Sequence, residues 1–235
     1  MNMNSTQVDM TREREEAVAV YFAKVCLWMF VGLMTTAVVG FLVVETKLIE
    51  KFYSESGMGI MLGLIILELV LVIALSRAVT KMPPLVGKIL FMFYSIINGL
   101  TLSTIFLAYN LGSVGMVFGL TAVLFGGLAL YGLTTKKDLT NIGALALFGL
   151  IAIIIVSLVN VFIGSEMMET IICIAGVVAF LALTAFDTQK IKQYYYTFEN
   201  DEKRLDQMAI YGALSLYLDF INIFIMLLRL LGKRN

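Results

Sequence analysis

Glu68, Asp187 and Asp219 are carboxylates inside or beside apolar runs of membrane-spanning length, and Arg77 closes one of those runs. A carboxylate at the centre of a bilayer costs roughly 3 kcal/mol on insertion scales, so it is retained where it meets a partner or a water-filled path. Asp219 is the most expensive of the three. It lies in the middle of the last apolar segment, residues 213–229, on a stripe with Gly212, Ser215, Asn222 and Met226 at three- and four-residue steps. Leu214, Leu218, Ile221, Ile225 and Leu228 fall on the other side and read as lipid-facing.

Asp187 follows the sixth apolar run. Tyr194, Tyr195 and Tyr196 form an aromatic belt beyond it, and Tyr211 is the matching belt residue on the last span. Counted inward from these belts, Asp187 and Asp219 both lie roughly 10–14 Å deep at helical rise. The two carboxylates are expected at one depth, with Lys190 and Lys192 snorkelling outward. Two carboxylates meeting in a low-dielectric site cannot both ionise cheaply, and they share a proton. Protonated, the pair holds itself by a hydrogen bond; deprotonated, it repels or accepts a cation. The chain has no histidine, so carboxylates are left as its proton sensors. Arg77 reads as a positive flank or as a latch for the pair. Glu68 and Asn98 read as lining a path or as helix-packing groups, and Ser215 and Asn222 extend that path along the last span.

These residues need helices to position them. Of the 235 residues, 60% are hydrophobic and 14% charged, which with several continuous apolar runs indicates an all-α polytopic membrane protein and excludes an outer-membrane barrel. Seven spans are predicted, at about 22–44, 57–76, 85–109, 112–133, 142–163, 168–190 and 208–231. They form one transmembrane domain behind a polar N-terminal tail at about 1–20, with a polar loop at about 193–206. Gly115, Gly119, Gly126 and Gly127 are expected to permit close helix contacts. Cys26 and Cys173 lie in apolar segments and are not expected to pair. Lys and Arg crowd one side, including Arg12, Arg14, Lys136, Lys137, Lys203 and Arg204, which places the N-terminus in the cytoplasm. Arg229, Lys233 and Arg234 are a misfit to that count. A re-entrant last segment would return them to the cytoplasm, but its length and freedom from Pro or internal Gly favour a full span.

The function classes narrow accordingly. Zero net charge implies no nucleic-acid partner. No EF-hand loop, Walker motif or HExxH occurs, and no nucleophile–base pair is visible, so an enzyme is not expected. No cofactor is expected beyond calcium, as a permeant or weakly bound ion. A calcium ion takes six to eight oxygens, so Asp187 and Asp219 with carbonyls and water would make a weak, transient site suited to passage. Two functions fit: an ion leak and a proton-coupled transporter.

Three stretches resemble the transmembrane Bax inhibitor motif (Bax inhibitor-1) family: Thr134-Thr-Lys-Lys-Asp-Leu-Thr-Asn-Ile-Gly143, Phe186-Asp-Thr-Gln-Lys-Ile191 and Leu214-Ser-Leu-Tyr-Leu-Asp-Phe-Ile-Asn222. Asn98-Gly-Leu-Thr-Leu-Ser103 and Ile66-Leu-Glu68 also fit. The similarity is to a bacterial member and runs from the first span onward. It implies a protein of the bacterial plasma membrane with its last helix central among six others. It also implies a pH-sensitive calcium leak gated by an aspartate pair, roles that fall on Asp187 and Asp219, with Arg77 as the basic latch, or alternatively a regulator that binds a membrane protease or other membrane protein.

Overall fold

A computed structural model describes the backbone of residues 3–48, 57–78 and 81–235, and the side chains of 12–48, 59–60, 62–77 and 81–235. Its helices are α1 (Met3–Glu45), α2 (Gly57–Ala78), α3 (Pro84–Ala108), α4 (Leu111–Thr134), α5 (Thr140–Ile163), α6 (Glu166–Phe198) and α7 (Glu202–Leu231). Six of them, all but α2, are long and apolar enough to cross a bilayer by length and composition. α2, with 22 residues, is about 33 Å long. The protein is therefore an all-helical polytopic membrane protein. Among the described residues there is no strand, only an isolated bridge between Tyr109 and Arg234.

The helix ends follow local chemistry. Asn110 caps α4 by accepting from the Gly112 N–H, Ser165 caps α6 through Met168, and Asp201 caps α7 through Arg204. Gly164 ends α5 with φ of 67°, a left-handed conformation natural to glycine. Residues 49–56, which hold Glu50, Lys51 and Glu55 of the expected charged loop, lie outside the described residues.

Two spans are longer than expected. α1 is one 43-residue helix, so the polar stretch up to residue 20 is a continuation of the first span. Residues 193–198, expected in a loop, continue α6, and only 199–201 separate it from α7. The polar residues there are the solvated end of a helix whose aromatics stay packed: Tyr195 meets Tyr21 of α1 at 5.6 Å and Tyr194 meets Tyr211 of α7 at 6.0 Å. Arg14 pairs with Glu199, and Lys24 with Asp206, fastening α1 over the α6–α7 turn.

α7 is the axis of the bundle. α1, α3, α4 and α6 pack on it directly, while α2 rests chiefly on α3 and α5 on α6. Leu214, Ile221 and Leu228 are buried, which corrects their reading as lipid-facing. A helix apolar on all sides suits a position with protein on all sides, and its periodicity alone does not give that direction. The last segment is a single helix, long and apolar enough to cross a bilayer by length and composition. It runs unbroken to Leu231, and Asn235 and Lys233 then hydrogen-bond the α3–α4 turn at Ala108 and Asn110. That turn lies at the opposite end of the bundle from residues 135–139 and 199–201.

Close helix approach occurs elsewhere than expected. A Cβ added at Gly115, Gly119, Gly126 or Gly127 would meet nothing within 4 Å. At Gly132 of α4 it would fall 2.2 Å from the Ala185 carbonyl oxygen of α6, and at Gly143 of α5 it would enter the Phe186 ring. Both contacts fall on the two residues just before Asp187, so these glycines seat α6.

Candidate functional site: the α6–α7 carboxylate seam

α6 and α7 run antiparallel, with Tyr194 against Tyr211 at one end. This register brings Asp187 to Asp219. The two carboxylates interact electrostatically, and Thr184, whose hydroxyl donates to the Phe180 carbonyl of its own helix at 2.8 Å, lies beside Asp219. Asp219 is 4% exposed, Thr184 and Thr188 are fully buried, and Asp187 is half-buried. The Asp219 Oδ2 and Thr188 Oγ1 atoms make no hydrogen bond to the protein. Thr184 and Thr188 are one turn apart on α6 and share a face. Sequence reasoning missed both. Their signal was a four-residue hydroxyl spacing bracketing Asp187.

The cation beside Asp187 is Lys190 on the next turn of α6. Its ammonium sits over the rings of Phe186, Tyr194 and Tyr211, at 5.7, 5.9 and 5.8 Å. Cation–π contact of this kind holds a lysine partly inside an apolar wall. Arg77 is not brought to the pair. It ends α2 exposed and makes no ion pair among the described residues. The reason is topological: α2 packs chiefly on α3 rather than on α6 or α7.

The motif residues around the pair are braces. Gln189 donates to the Lys137 carbonyl at 2.7 Å and accepts from the Leu139 N–H at 2.9 Å, clamping the α4–α5 connection onto α6. Lys192 donates to the Leu133 carbonyl at 2.9 Å. Within that connection Asp138 accepts from the Thr140 hydroxyl at 2.6 Å and its N–H at 2.9 Å, which holds its carboxyl below the usual aspartate range. Ser215 and Asn222 are half-buried, and Asn222 donates to the Leu218 carbonyl of its own helix at 2.8 Å.

Glu68 and Asn98 form a separate network. Glu68 Oε1 accepts from Thr101 Oγ1 at 2.6 Å and Asn98 Nδ2 at 3.4 Å. Asn98 Oδ1 accepts from the Tyr217 hydroxyl at 2.9 Å, which is 2.7 Å from Thr36 Oγ1. Four helices thus meet through side chains, and Tyr217 and Thr36 were not legible as members beforehand.

Among the described residues no group of three or more His, Cys, Asp or Glu converges as a metal cage, and Cys26 and Cys173 are free. The α6–α7 site offers two carboxylates and two threonine hydroxyls, at most six oxygens, the lower limit of the six to eight that calcium takes.

A central helix wrapped by others, carrying a buried carboxylate that faces a half-buried one on α6, defines a polytopic helical membrane protein. Its family is specific: residues 18–235 match the model described as "Inhibitor of apoptosis-promoting Bax1", and the chain belongs to the Bax inhibitor-1 family. It is 42% identical to the inner membrane protein YbhL of Escherichia coli over 216 residues, 92% of each chain. A protein of Borreliella burgdorferi is 40% identical over 97% of this chain and 99% of its own. A membrane protein of Streptococcus pyogenes is 36% identical over 92% and 93%.

Proposed function

We propose that this protein is a pH-sensitive calcium leak of the bacterial plasma membrane, with its N-terminus in the cytoplasm and the Asp187–Asp219 pair as its gate. The observation that carries this reading is two carboxylates meeting on α6 and α7 inside the apolar bundle, one of them with an oxygen lacking any hydrogen bond. Such an arrangement is costly as structure and useful as a site for a proton or a passing cation. With one shared proton, the carboxyl–carboxylate hydrogen bond draws α6 to α7 and closes the seam. With the proton gone, the charges repel, the seam loosens, and the exposed oxygens take a cation in transit. Two carboxylates with carbonyls and water hold calcium weakly, which suits release on the far side. The plasma-membrane assignment draws on the similarity to the Escherichia coli inner membrane protein, and the orientation on the excess of Lys and Arg at the α1 N-terminal end.

Purified protein in liposomes carrying a calcium dye tests the reading. Flux is expected to rise as pH is raised and the shared carboxyl proton is lost. In the Asp187→Asn, Asp219→Asn double variant the pH response is expected to vanish. A double variant with unchanged flux and pH response would sink the mechanism.

A further inference from the structure

The three basic residues that offend the charge count, Arg229, Lys233 and Arg234, cluster at the end of the bundle that holds the C-terminus. The tail is fixed there. Asn110 donates to the Lys233 carbonyl at 3.0 Å, the Lys233 N–H donates to Ser113 Oγ at 2.9 Å, and Asn235 donates to the Ala108 and Leu107 carbonyls at 3.1 Å. Between Lys233 and Asn235, the backbone of Arg234 bridges to Tyr109. A four-residue tail held this way carries little apolar surface of its own. Its consequence is to set the Arg234 side chain at the rim of a cavity of about 470 Å³.

That cavity is amphipathic. Arg229, Arg234 and Thr104 supply its polar wall, and Leu102, Ile105 and Leu228 its floor. Glu169 also lines it, and Arg229 Nη1 lies 3.9 Å from its carboxylate. Arg234 has no acidic partner among the described residues. One positive charge is therefore left uncompensated beside a second guanidinium. Guanidinium forks match the oxygens of a phosphate, which makes the wall an anion site. The floor points to more than a free anion. Leu102 and Ile105 also wall a second, almost wholly apolar cavity of about 260 Å³ among α1, α3, α4 and α7. The cavity lies where α3 and α7 end, the level at which a spanning helix passes from hydrocarbon to headgroups.

We propose that this cavity binds the phosphodiester headgroup of an anionic phospholipid, with Arg234 and Arg229 on the phosphate and the acyl chains along the Leu102–Ile105 surface. The basic tail then has a binding role at the end of the bundle where the charge count disfavours it. The proposal does not depend on the ion leak.

The test is native mass spectrometry on the purified full chain, titrated with phosphatidylglycerol, phosphatidylcholine or glycerol phosphate. One phosphatidylglycerol is expected to be retained, with phosphatidylcholine and glycerol phosphate much weaker. Arg234→Gln is expected to weaken phosphatidylglycerol about tenfold, the loss of one charge-assisted contact, and Arg229→Gln with Arg234→Gln further. Lys233→Gln removes the same charge from a side chain that does not line the cavity and is expected to bind like wild type. Equal retention of phosphatidylcholine, or equal losses in Lys233→Gln and Arg234→Gln, would overturn the proposal. Glycerol phosphate bound as tightly as phosphatidylglycerol would overturn it in favour of a free-anion site.

Discussion

Tyr217 and Asp219 are two positions apart on α7, so their side chains leave the helix about 200° apart. Each anchors a polar cluster inside an apolar bundle, and the clusters differ in one respect. On the Tyr217 side, Thr36, Asn98, Thr101 and Glu68 join in a continuous run of hydrogen bonds. On the Asp219 side, Asp219 Oδ2 and Thr188 Oγ1 make none. A buried polar atom without a partner costs about 1–3 kcal/mol, so a fold that satisfies one cluster and leaves the other open separates two tasks. The satisfied network holds α1, α2 and α3 to the axis. The open seam is free to accept a proton or an ion.

That contrast can be broken in order of expected effect. Gly132→Ala forces a Cβ against the Ala185 backbone and displaces α6, so thermal unfolding in detergent should show a loss of roughly 2–3 kcal/mol or more. Wild-type stability there would mean that α4 does not seat the Asp187 helix. Tyr217→Phe removes the hub hydroxyl from Thr36 and Asn98 and should cost about 1–3 kcal/mol. Because it lies on the satisfied side, the pH midpoint of flux should stay in place; a moved midpoint would mean that the two clusters communicate.

Thr188→Val removes a buried hydroxyl that has no partner, so the protein should gain about 1–3 kcal/mol of stability. Flux should nevertheless fall a few-fold, since an oxygen lining the seam is gone. The smallest effect belongs to Asp138. Its carboxyl is held low by Thr140, so the stability it contributes is present above the ordinary aspartate range, near pH 4, and is lost as pH falls through its depressed value. Asp138→Asn should flatten the acid side of the stability profile and leave flux at neutral pH unchanged.

The fold and the carboxylate pair were largely legible from the chain. Apolar runs located the spans, and two aromatic belts fixed the depth of Asp187 and Asp219 well enough to pair them. Direction was harder to read. Leu214, Ile221 and Leu228 looked lipid-facing because an apolar side chain packs equally well against lipid or protein, and only the arrangement of the whole bundle decides. The spacing of Gly115 and Gly119 signals close approach, but the approach is made at Gly132 and Gly143, where a neighbouring helix is present. Arg77 carries the charge expected of a latch, yet α2 packs chiefly on α3, and Lys190 takes the place beside Asp187. The spacing of Thr184 and Thr188 about Asp187 was a weak signal, because a buried hydroxyl in a helix ordinarily bonds its own backbone, as Thr184 does to Phe180 and Thr121 to Val117.

The most direct test of the central claim sets calcium flux against pH in liposomes for three proteins side by side: wild type, Asp219→Asn and Tyr217→Phe. Wild type and Tyr217→Phe should share one rising pH profile, while Asp219→Asn should be flat, since one carboxylate has then lost its partner in sharing the proton. A profile that moves with Tyr217→Phe, or that persists in Asp219→Asn, would contradict the account.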